Sequence, residues 1–123
     1  MKEIIKKCLV ANKYDGDVEK MVDWAVKDIL EKTHNGTGIY IALEKGFCYA
    51  FMNGNELILW EMYNEGGDLN THKEVFERLK EFGKSHGAGK MMISINAFRY
   101  EAAMRLYKDL QPNIRAVILE VKL

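Results

Sequence analysis

Glu61 interrupts an apolar run, with Leu57-Ile58-Leu59-Trp60 before it and Met62-Tyr63 after it. Strict alternation puts it on one strand face with Leu57, Leu59 and Tyr63. A carboxylate on such a face is expected to have a raised pKa, the property of a general base that takes a proton from an ammonium group. The plainer alternative is a face partly open to water, or a Glu paired with a Lys or Arg. Just beyond, Gly66-Gly67 precede a segment that Asn70 or Thr71 can cap as a helix. Backbone N–H groups of paired glycines and of a helix start can close on an anion such as a phosphate. His72 and Lys73 add positive potential there, while Glu65 and Asp68 oppose it. An ordinary capped strand-to-helix connection would look the same.

Other chemistries find less support. Cys8 and Cys48 are far apart in sequence with no Cys-x-x-Cys pair, as expected of buried thiols acting as small hydrophobes. His34, His72 and His86 have no His or Cys partner at zinc-site spacing, so no metal site is expected. Eighteen Lys and Arg balance 18 Asp and Glu, and neither half is basic enough for a general nucleic-acid binder. No apolar run approaches the roughly 20 residues of a membrane span. The opening Met1-Lys2-Glu3-Ile4-Ile5-Lys6-Lys7 does not read as a signal peptide, and a cytoplasmic location is expected.

The elements that position these residues follow from periodicity. Residues 1–12 fit a helix or a short strand, since Ile4, Ile5, Cys8 and Leu9 recur at helical spacing but Cys8-Leu9-Val10-Ala11 also reads as a strand. After Asp15-Gly16-Asp17, Val18, Met21, Val22, Ala25, Val26, Ile29 and Leu30 mark an amphipathic helix that ends near Thr33, with Trp24 at its apolar border. From Gly38 the period becomes two. Turns at Lys45-Gly46 and Asn53-Gly54 divide the next residues into three strands of an antiparallel meander, the last over residues 56–63. Val75, Phe76, Leu79 and Phe82 mark a second helix that stops at Gly87-Ala88-Gly89. A short buried strand over 91–96, a helix over 100–110 stopped by Pro112, and a last strand over 114–123 complete the order. With 123 residues, this is one domain of mixed α/β class. Its sheet is mostly antiparallel with one parallel strand–helix–strand unit, and apolar residues on both faces call for helices on each side.

This succession resembles the GNAT superfamily of N-acetyltransferases. The most specific match is Ala103-x-x-Leu106-Tyr107-Lys108-Asp109-Leu110, similar to that family's Ala-x-x-Leu-Tyr-Glu-x-x-Gly-Phe on its last helix. The resemblance covers about residues 17–123 and implies acetyl transfer from acetyl-CoA to an amine of a small molecule or a protein. Tyr107 would then protonate the leaving thiolate and Glu61 would serve as base. Met62, Tyr63, Gly66, Gly67, Asn70, Thr71 and His72 would hold the cofactor, and Tyr40, Tyr49 and Trp60 would line an acceptor cleft. A core Tyr whose ring packs on the sheet is the plain reading of Tyr107.

The departures define a second expectation. The family's phosphate loop, Arg/Gln-x-x-Gly-x-Gly/Ala, is replaced by Asn64-Glu65-Gly66-Gly67-Asp68-Leu69-Asn70-Thr71-His72. Gln111-Pro112 stand where the family has Gly-Phe, and one strand follows where many members have a hairpin. A non-catalytic binding or interaction module of the same fold fits these losses. Its apolar edges would favour a homodimer, by edge pairing or by exchange of the last strand.

Overall fold

The structure is a computed structural model that describes residues 1–95 and 100–114. Helix α1 spans Lys2–Ala11, so the ambiguous first segment is helical. Its buried residues Ile5, Cys8 and Leu9 fall on one face at i, i+3 and i+4. Helix α2 spans Val18–His34, and the Asp17 side chain caps it by accepting the Lys20 N–H at 3.1 Å. Strands β1 (Gly38–Leu43), β2 (Gly46–Asn53) and β3 (Glu56–Asn64) form the meander. Helix α3 (Leu69–Ser85) and strand β4 (Lys90–Ile93) follow, then helix α4 (Tyr100–Tyr107) and a 3-10 turn at Lys108–Leu110. The strand expected over 114–123 lies outside the described residues, apart from Ile114.

Among the described residues the sheet order is β1-β2-β3-β4, antiparallel except for the parallel β3–β4 pair. The mixed class and the parallel unit after the meander are therefore as the periodicity predicts. Gly46 lets the start of β2 lie close against the end of β3, because a Cβ there would collide with the Tyr63 carbonyl oxygen. Gly54 has φ +61 at the first position of the Gly54-Asn55 turn between β2 and β3.

Each face of the sheet carries its own core. On one side Phe47 and Tyr49 pack with Ile5, Cys8, Val22, Ala25 and Ile29 of α1 and α2. On the other, Ile41, Cys48, Ala50, Leu57 and Leu59 pack with Val75, Phe76 and Leu79 of α3 and Tyr107 of α4. Burying a large apolar side chain contributes about 1.5–3 kcal/mol, so the fully enclosed Phe47 and Leu79 are major anchors of the two layers. Polar ties add direction. The Tyr49 hydroxyl donates to Asp28 Oδ2 at 2.7 Å, Lys32 Nζ donates to Asp28 Oδ1 at 2.6 Å, and the same ammonium lies 4.4 Å from the Phe51 ring centroid.

Strand β3 departs from strict alternation. Tyr49 pairs with Glu61, but its neighbour Ala50 pairs with Leu59, leaving Trp60 as an extra residue in a β-bulge. Trp60 therefore turns toward α2, with its ring 6.3 Å from Trp24 and 6.2 Å from Tyr49. Trp24, expected at the border of the α2 stripe, is half exposed there.

Candidate functional site

The bulge changes the surroundings expected for Glu61. Residues paired across an antiparallel ladder share a face, so Glu61 lies on the α1/α2 side with its partner Tyr49. Leu57 and Leu59 lie on the α3 side, and only Tyr63 of the expected neighbours shares the Glu61 face. Asn12, at the C-terminal end of α1, donates its Nδ2 to Glu61 Oε2 at 3.1 Å and also lies 3.3 Å from Cys8 Sγ. Nothing in the sequence singles out Asn12 as this partner, because 49 residues separate the two and only the fold brings them together.

Tyr107 is on the other side of the sheet. It is 7% exposed and belongs to the α3-side core, with its ring 5.5 Å from that of Phe76. The general-acid and general-base candidates are thus on opposite faces of the sheet, and the fold does not bring them together.

The expected cofactor residues follow one another from the end of β3 into α3, with Met62 packed on the α3 side of the sheet and Tyr63 on the α1/α2 side. Met62 and Tyr63 lie near the carboxyl end of β3, Gly66 and Gly67 follow with φ +83 and +49, and Asn70, Thr71 and His72 form the first turn of α3. Among the described residues β3 pairs with β4 from Glu56–Lys90 to Leu59–Ile93, and β3 runs on to Asn64. The Gly66-Gly67 corner follows that end of β3.

Its polar chemistry is that of a capped helix. Asp68, rather than Asn70 or Thr71, is the N-cap. Its Oδ1 accepts the Asn70 N–H at 3.0 Å and its Oδ2 accepts the Thr71 hydroxyl at 3.1 Å. A carboxylate is thus already seated where the helix dipole favours negative charge. Beside it, the Tyr63 hydroxyl donates to Glu65 Oε1 at 2.9 Å. His72 does not extend into solvent as a cation. It is 8% exposed, burial pushes its pKa below the usual value against a smaller opposing effect of Asp68, and its Nδ1 has no hydrogen-bond partner. The sequence does hold the signal for Asp68, since Asp is as good an N-cap residue as Asn and stands immediately before Leu69.

A separate open groove of about 580 Å³ runs between α1 and the end of β3, with Lys6, Val10, Tyr63 and Glu65 in its lining. It does not include Gly66, Gly67, Asn70 or Tyr107. Of the expected acceptor residues, Tyr49 is fully buried, while Tyr40 stacks on Phe47 at 5.8 Å. The two thiols are buried as expected, and burial, with smaller help from Glu61, pushes the Cys48 thiol up to about 12. No helix among the described residues is long and apolar enough to cross a membrane, and no cluster of three or more His, Cys, Asp or Glu among them could hold a metal ion. Comparison with family models, curated proteins and solved structures finds no match to this chain.

Proposed function

We propose that this chain is a non-catalytic interaction module on an acetyltransferase-like scaffold. The observation that carries the reading is Asp68. A diphosphate bound at the start of α3 would have to displace a carboxylate that already accepts the Asn70 N–H and the Thr71 hydroxyl, and would then face its charge. The neutral state favoured for buried His72 and the acid at Glu65 offer a diphosphate no compensation. The separation of Glu61 and Tyr107 by the sheet also supports this reading, because it keeps the two from acting as one acid–base pair. Calorimetric titration with acetyl-CoA tests this directly, and saturable 1:1 heat would overturn it.

Acetyl transfer is the second reading, and one observation favours it. Among the described residues β3 and β4 are parallel and pair as far as Leu59–Ile93, and α3 follows the carboxyl end of β3. Ligands of open α/β sheets bind beyond the carboxyl ends of parallel strands, where the connection pattern changes. In this reading a neutral amine nitrogen bonds to the acetyl carbon, the carbon–sulfur bond breaks, and Tyr107 gives a proton to the thiolate and regains one from the nitrogen, while Glu61, on the opposite face of the sheet, takes no part. Tyr107→Phe would then lower turnover more than affinity, and absence of turnover in the unaltered protein removes the reading.

A further inference from the structure

We infer that Asn53 is a site of spontaneous covalent modification, at which the Gly54 backbone nitrogen attacks the side-chain amide and converts the residue to aspartate and isoaspartate. The inference stands apart from whether the chain binds acetyl-CoA. Asn-Gly occurs twice in the chain, at Asn35-Gly36 and Asn53-Gly54, and both asparagines are exposed. Glycine favours the attack because it has no side chain to shield its nitrogen or to restrain the peptide before it. Sequence ranks the two sites equally, and the fold separates them.

Asn35 is held in place. Its Oδ1 accepts the Thr37 N–H at 3.1 Å and the Thr37 hydroxyl at 2.5 Å. The Gly36 nitrogen, which would attack it, donates to the Thr33 carbonyl at 3.4 Å, and the Gly36 carbonyl oxygen lies 2.8 Å from His86 Nε2. Bringing that nitrogen onto Asn35 Cγ would break several of these contacts together. Asn53 instead ends β2 at a two-residue turn. Among the described residues its side chain has no hydrogen-bond partner, and neither has the Gly54 N–H. The ties from this hairpin to the rest of the fold lie on the other side of the turn. There the Gly89 N–H donates to the Asn55 carbonyl at 3.0 Å, and Lys90 Nζ lies 3.2 Å from Glu56 Oε1. The Asn53–Gly54 peptide can swing while those contacts stay made, and exposed turn tips open at little cost.

The reaction balances with water alone. Hydroxide takes the Gly54 N–H proton, the nitrogen bonds to Asn53 Cγ, and the Cγ–Nδ2 bond breaks. Nδ2 takes a proton from water and leaves as ammonia. Water then opens the cyclic imide. Breaking the bond from nitrogen to Cγ gives aspartate, and breaking the bond from nitrogen to the Asn53 carbonyl carbon gives isoaspartate, with the chain running on through Cγ. Either product sets a new carboxylate opposite Glu56, the ladder partner of Asn53, and like charges facing across a ladder are destabilising.

Incubation of the unaltered, folded protein at mildly alkaline pH tests the inference. Peptide mapping by mass spectrometry, with fragmentation that distinguishes aspartate from isoaspartate, follows both sites in one sample. Asn53 is expected to convert roughly tenfold or more faster than Asn35 while the protein is folded, and the two rates should converge in urea. A folded-state rate at Asn35 equal to or above that at Asn53 overturns the inference. So does an Asn53 that stays intact in the folded protein while the urea sample converts.

Discussion

Asp68 accepts the backbone N–H of Asn70 at 3.0 Å, placing the protein's own carboxylate at the start of α3. That contact satisfies one of the N–H groups a helix leaves unpaired at its beginning, and its charge suits the positive end of the helix dipole. Asp68→Ala should lower the unfolding free energy by about 0.5–2 kcal/mol, measured by urea denaturation. An unchanged midpoint would mean that the cap contributes nothing.

The buried His72 gives the protein an acid-sensitive element. Its folded-state pKa is depressed, chiefly by burial, so below the ordinary value of 6.5 the unfolded chain takes up the proton more readily than the folded one. The stability linked to His72 is therefore fully present above about pH 6.5 and is lost as pH falls from there toward the depressed folded value. His72→Leu should flatten this part of the stability profile, because it removes both the titrating group and the unpartnered Nδ1. Equal slopes between pH 5 and 7 in the two proteins would contradict the assignment.

Cys48 should be inert while the protein is folded. Its side chain is fully buried and its thiol is pushed up to about 12, so the thiolate that reacts with disulfide reagents is scarce at neutral pH. Labelling with a chromogenic disulfide should proceed only in denaturant, and fast reaction of Cys48 in buffer would contradict its burial.

The link between Tyr49 and Asp28 should also be measurable. Tyr49→Phe deletes the 2.7 Å hydrogen bond from a fully buried ring and leaves Asp28, itself mostly buried, with Lys32 as its neighbour. A loss of about 1–3 kcal/mol is expected from denaturant unfolding. A neutral substitution would show that Lys32 alone satisfies Asp28.

Much of the architecture is legible in the chain because it rests on periodicity. The 3.6-residue spacing through Val22, Ala25 and Ile29 and the two-residue alternation through Phe47, Tyr49 and Phe51 depend only on which face meets the core. The α1 segment was open to both readings, because a short apolar run has no decisive period and its helix is favoured by packing on α2. The Glu61 environment was illegible for a different reason. One extra residue at Trp60 inverts the alternation after it, and the sequence around 57–61 carries no mark of where that residue falls. The corner at Gly66-Gly67 is legible as a helix start, but the choice of Asp68 over Asn70 or Thr71 as cap turns on two or three residues of boundary position.

The most direct test of the occupied α3 terminus is isothermal titration of the folded protein with acetyl-CoA. The capped corner predicts no saturable heat up to millimolar ligand. A one-to-one isotherm that vanishes on adding competing coenzyme A would contradict it.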